Sequence, residues 1–214
     1  MSDLPALPKI ADIGTSTGVF LRRVGELMPW AEMHGFDVSD ALFPPSDENA
    51  ASSTQYSVMD IKRPIPEEFK GVFDVVHVRL LVWSMTERDW PIVVVNLHAM
   101  LKPGGWLQWE ENDLNSMRLL RDPGCAHPLA HSNQFNNPDF QSLMGTKLRK
   151  GWYKLPDLLA TLNMTCLVRD MVSSDRVPET RQILSIMEVD GFYEENVTVN
   201  GIPRFPSIEY RDAA

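Results

Sequence analysis

Residues 9–21 read KIADIGTSTGVFL, and this stretch decides the fold. Lys9 to Ile13 is a mostly apolar run of strand length. It runs into a loop, Gly14 to Gly18, whose glycines permit positive φ and close backbone approach. Val19 to Met28 then sets Phe20, Val24, Leu27 and Met28 on one helical face, and Pro29 ends the helix. Such a strand–loop–helix unit points free amides and a positive dipole end at the space above the loop. A small anionic or zwitterionic group is the natural occupant. Asp12, at the strand end, can accept a hydrogen bond from an ammonium group or a loop amide. A dinucleotide fingerprint begun at Gly14 needs glycine at positions 16 and 19, where Ser16 and Val19 stand. A nicotinamide oxidoreductase is therefore disfavoured.

The same alternation continues outward. Met33 to Val38, Gln55 to Met59, Val72 to Val78 and Trp106 to Trp109 read as further strands. Ala41 to Ser53 is rich in Pro, Ser, Asp and Asn and reads as a loop. Trp90, Val93, Val94, Leu97 and Leu101 recur at helical spacing, and Pro103-Gly104-Gly105 breaks that helix before the fifth strand. Strands alternating with helices predict an α/β fold, a doubly wound and mostly parallel sheet covered on both faces. Such sheets bind ligands beyond the carboxyl ends of their strands. Further on, Tyr153 to Leu162 reads as helix, Thr165 to Val172 as a sixth strand and Glu179 to Glu188 as helix. The predicted organisation is one domain over 1–195, with a core at 9–111 and a substrate-side insertion at 112–151. An irregular tail follows at 196–214.

The chain has 214 residues, with 20 Lys plus Arg against 29 Asp plus Glu and a formal charge of −9. That balance argues against a nucleic-acid or anionic-membrane partner, both of which need excess cationic side chains. No apolar run approaches the ~18 residues of a membrane span, and no secretory signal is visible. Two cysteines, Cys125 and Cys166, make no disulfide framework. A cytoplasmic location is expected, with a nuclear one open.

Acids follow the next two strands. Asp37 ends the second strand about 20 residues beyond the glycine loop, a place suited to holding both hydroxyls of a ribose. Asp60 ends the third, where it could accept from an adenine amino group. Each alone reads as an ordinary loop acid. Together, beside the glycine loop, they form a pattern.

The stretches KIADIGTSTGVFL, GFDVSD, VMDI, FDVVHVRLL and LKPGGWLQWEE, in that order, resemble class I S-adenosylmethionine-dependent methyltransferases. More narrowly, they look like the fungal small-molecule methyltransferases that include the LaeA-like regulators. The resemblance covers Lys9 to Glu111 and implies a Rossmann-like fold with S-adenosylmethionine as cofactor. It implies that Asp12, Gly14, Thr15, Ser16 and Gly18 surround the methionine part. Asp37 with Val38 would meet the ribose, Met59, Asp60 and Ile61 the adenine edge, and Val78 and Arg79 the sulfonium. The usual middle glycine of the loop is replaced here by Ser16. The lid helices that precede the first strand in such folds are expected to be lacking, since eight residues precede Lys9. That leaves room for a second copy or a partner chain to cover the cofactor site.

A methyl acceptor that must lose a proton requires a base. His77, Glu110 and Glu111 lie nearest the strand ends, and Arg79 could orient an acidic substrate. His77 sits inside an apolar strand and reads first as a core histidine. Alternation sends Glu110 and Glu111 to opposite faces, so at most one faces a pocket. Catalytic roles are assigned to His77, Glu110 and Arg79. Cys125, His127 and His131 lack a fourth ligand, so no metal is expected. The expected activity is methyl transfer to an oxygen or nitrogen of a small secondary metabolite. The alternative is a degenerate methyltransferase fold that serves as a binding or regulatory subunit, or that catalyses cofactor-independent chemistry.

Overall fold

The computed structural model describes residues 4–45, 53–111 and 152–165, all within a compact unit that runs from Met1 to Cys166. A second unit, Leu167–Ala214, lies outside the described residues, and so does the expected insertion. The sixth strand, the helix from Glu179 and the tail fall there too.

Five strands form one sheet: β1 (Lys9–Ile13), β2 (Glu32–Asp37), β3 (Thr54–Val58), β4 (Phe73–Arg79) and β5 (Leu101–Glu110). Their spatial order is β3-β2-β1-β4-β5, and every neighbouring pair is parallel. The order reverses between β1 and β4, and it is beyond the carboxyl ends at such a reversal that open α/β sheets bind ligands. The expected doubly wound sheet is therefore present. Helix α1 (Val19–Leu27) covers one face. Helix α2 (Asp89–Met100) and the short α3 (Leu155–Thr161) contribute to the core on the other.

Alternation along the strands sorts the core into two layers. Ile10, Met33 and Val75 face α1 and pack with Leu21 and Ala31. Ala11, Ile13, Phe36, Val76 and Val78 face α2 and pack with Trp90, Val93, Leu97 and Met100. Helix α2 is fixed at its start by Thr86, whose amide and hydroxyl donate to the Asp89 carboxylate at 2.7 and 2.9 Å. Among the described residues, no helix is long and apolar enough to cross a membrane.

Two expectations are corrected. Leu27 does not share the buried face of α1: it is 78% exposed, whereas Leu21 is fully buried. At ~100° per residue Leu27 falls at the edge of the stripe and Leu21 near its centre. The fifth strand also starts earlier than Trp106. Leu101 already pairs with Phe73, and the next pairing joins Val75 to Trp106. Pro103-Gly104-Gly105 is thus a bulge inside β5, with Gly104 at φ +79°.

Candidate functional site

The loop after β1 is held by the end of β2. The amides of Gly14 and Thr15 both donate to the Phe36 carbonyl, at 2.8 and 3.0 Å. The Ser16 amide donates to Asp37 Oδ2 at 2.9 Å. Three residues of the loop stand in the left-handed region: Gly14 at φ +73°, Ser16 at +49° and Gly18 at +68°. Ser16 thus adopts the conformation that a glycine would take there without strain. A serine there costs strain that a glycine would not.

Gly18 caps α1 with no side-chain hydrogen bond, so the first amides of the helix have no such cap. Thr15 is buried, and its Oγ1 has no partner among the described residues. Asp37 spends Oδ2 on the loop, while Oδ1 has no donor among the described residues. An acceptor and an orphaned hydroxyl therefore flank the amino end of α1.

A polar row crosses the α1 face of the sheet. In register it runs Tyr56, Gly35, Asp12, His77 and Gln108, one from each strand. Glycine at 35 is required, because a Cβ there would lie 2.6 Å from the Tyr56 ring. Burial pushes the Tyr56 hydroxyl up, and the Asp12 carboxylate adds to this while Arg22 opposes it. Asp12 does not face an open crevice. Its Oδ1 bonds His77 Nδ1 at 2.7 Å with both groups buried, and Phe20 stacks on the imidazole at 3.5 Å.

His77 is 1% exposed, so it is partly the core histidine expected. Its Nε2 has no hydrogen-bond partner among the described residues, and Glu110 Oε1 lies 3.8 Å away. Glu110 is half-exposed and accepts from Gln108 Nε2 at 2.7 Å. Arg79 is exposed and in register with Glu110 on the same face. Of the three predicted catalytic residues, Glu110 and Arg79 reach solvent, and His77 stands behind Glu110.

At the third strand's end the acid closes its own turn. Asp60 Oδ1 accepts the Lys62 amide at 2.9 Å, and Arg63 lies 3.7 Å from Oδ2. Met59 and Ile61 turn their side chains into the core. Val78 does likewise, so these three can offer a ligand only backbone. Val38 is exposed beside Asp37. Asn96 of α2 donates to the carbonyls of Ile61 and Arg63 and fixes this turn.

The group least legible in the sequence is Glu111. It lies on the α2 side of β5, the opposite face from Glu110. Its carboxylate accepts Trp109 Nε1 at 2.8 Å and the Val82 amide at 3.2 and 3.3 Å. Burial pushes its carboxyl up to about 7 against these hydrogen bonds.

Residues 11–107 match the family described as a methyltransferase domain. Over that segment the chain is similar to this family. The methyltransferase grgD of a Penicillium species is 40% identical to it over 119 residues, 52% of this chain and 41% of that protein. The N-methyltransferase sirN of Leptosphaeria maculans is 35% identical over 107 residues, 50% of this chain and 36% of that protein. The chain thus spans about two fifths of the length of these relatives. Among solved structures, CalO1, a methyltransferase in calicheamicin biosynthesis, overlays 74% of this chain on 43% of its own at 17% identity, with a TM-score of 0.48. The matched segment runs from β1 through most of β5.

Proposed function

We propose that the chain is a methyltransferase that binds S-adenosylmethionine at the ends of β1, β2 and β4, and methylates an oxygen or nitrogen of a small secondary metabolite. One observation carries this reading. The end of β2 binds the glycine loop through one oxygen of Asp37, and the other, Oδ1, has no donor among the described residues and suits a ribose hydroxyl. The Thr15 hydroxyl and the uncapped start of α1 offer further polar groups to the methionine end. The residues present therefore fit the cofactor. It supplies a methyl group on a positively charged sulfur, and the protein's task is to bind and orient.

Glu110 is the group suited to take a proton from the acceptor, because it is exposed and lies at the rim of β5. His77, fixed by Asp12, backs it with an unpaired nitrogen. Arg79 can hold an acidic acceptor beside it. Relatives named as methyltransferases, one of them an N-methyltransferase, support the reaction class. The subunit alternative drew on the missing lid helices and on Ser16, and Ser16 stands in the left-handed conformation open to a glycine, at φ +49°.

Calorimetry with S-adenosylmethionine and S-adenosylhomocysteine tests the binding step, and mass spectrometry of phenol and amine acceptors tests transfer. Saturable heat with a mass gain of one methyl is expected. No heat at millimolar ligand sinks the proposal.

A further inference from the structure

The turn after β4 is tied to both ends of the site. Leu80 stands in the left-handed region at φ +58°, an uncommon place for leucine. A one-turn 3-10 helix follows, Leu81–Ser84. Leu81 is buried, and a Cβ on Gly14 would lie 3.1 Å from its Cδ2. The glycine loop therefore rests on the Leu81 side chain. From the other side, the Glu111 carboxylate accepts the Val82 amide with both oxygens while it also accepts Trp109 Nε1. Trp109 in turn stacks on Trp90 of α2 at 5.5 Å.

We propose that Glu111 is a positioning residue for the cofactor crevice: its carboxylate fastens the turn after β4, and that turn holds Leu81 against Gly14. This rests on the reading of the crevice as the S-adenosylmethionine site. Ionised, the carboxylate makes charge-assisted bonds to both donors. Protonated, it loses acceptor capacity, and the turn loosens behind the loop. Its displacement from the ordinary carboxylate range to about 7 puts this change near neutral pH.

The surrounding charges are engaged elsewhere. Glu110 and Arg79 belong to the opposite face of the sheet. Lys62 reaches the turn at the Ser84 carbonyl, Asp89 is held by Thr86, and Lys154 pairs with Glu87. Burial, not a neighbouring charge, is what raises the Glu111 carboxyl.

S-adenosylhomocysteine is the probe, because it lacks the sulfonium charge that would itself favour an ionised carboxylate. Its affinity for the full chain is measured by calorimetry from pH 5.5 to 8.5. The expected result is an affinity that weakens about tenfold as pH falls through about 7, the worth of one charge-assisted hydrogen bond. Glu111→Gln should bind with the weak, low-pH affinity at every pH. Trp109→Phe removes a donor that lowers the carboxyl, so its midpoint should move upward, and it serves if the first variant does not fold. A pH-independent wild-type affinity overturns the proposal, as does a Trp109→Phe midpoint that stays in place. No binding at any pH overturns the cofactor reading and this proposal with it.

Discussion

Gly18 is constrained twice. Its φ of +68° lies where an L side chain is strained, and a Cβ there would collide with the Tyr56 hydroxyl. Gly18→Ala should therefore cost about 1–2 kcal/mol from the backbone alone, with more from the clash. Adding Tyr56→Phe should recover part of the loss, because the ring carbons still crowd the site. Urea unfolding of the single and double variants reads both terms, and equal stabilities would show that the clash is relieved elsewhere. Glu111 makes a prediction of another kind. Its carboxyl sits at about 7 in the fold against 4.5 as the ordinary value, so the folded state holds the proton more tightly than the unfolded state. Its contribution is fully present below about 4.5 and is lost as pH rises through about 7, by up to about 3 kcal/mol. His34, whose ring is pushed down mainly by burial, acts in the opposite sense on the acid side. The measurement is therefore the difference between wild type and Glu111→Gln. The stability of wild type relative to Glu111→Gln should fall as pH rises from 5 toward 8, and a constant difference would contradict the cause.

Two leucines of α1 separate pattern from packing. Leu21→Ala should cost about 2–5 kcal/mol, because the side chain is fully buried between Ile10, Met33 and Val75. Leu27→Ala should stay within about 0.5 kcal/mol, since that side chain is mostly in water. Denaturant midpoints of the two variants test this, and similar losses would place α1 in a different rotation. The helix itself was legible from its apolar period and from Pro29. Its rotation was not, because Phe20, Val24 and Met28 fit a stripe with either leucine at its margin. The strands were legible for a related reason. Runs such as Val75 to Val78 are buried on both faces, the pattern of a strand in a covered parallel sheet. The bulge in β5 escaped because Pro103-Gly104-Gly105 carries the same local signal as a break. At the site, the acids at the strand ends were legible from spacing. The Asp12–His77 pair, the cover of Phe20 and the hydrogen bonds of Glu111 were not, because each depends on which elements lie beside which.

At the scale of the molecule, the five-strand order brings the ends of β1 and β4 together, and the proposed cofactor site would draw on the whole sheet for support. A ligand held there should stabilise the fold by mass action, because the unfolded chain has no crevice to offer. At one hundred times its dissociation constant, S-adenosylhomocysteine should add about 2.7 kcal/mol. For a chain of this size that raises the thermal midpoint by about 5–10 °C. Asp37→Ala should abolish most of this rise while lowering the midpoint of the free protein little, since Asp37 is half-buried and its one side-chain bond among the described residues is to the Ser16 amide. Thermal scans with and without ligand supply both numbers. A variant that keeps the full ligand-induced rise would show that ribose is held elsewhere. A variant whose free midpoint collapses would instead make Asp37 a structural tie of the loop, and the ribose role would then pass to another acceptor at the end of β2.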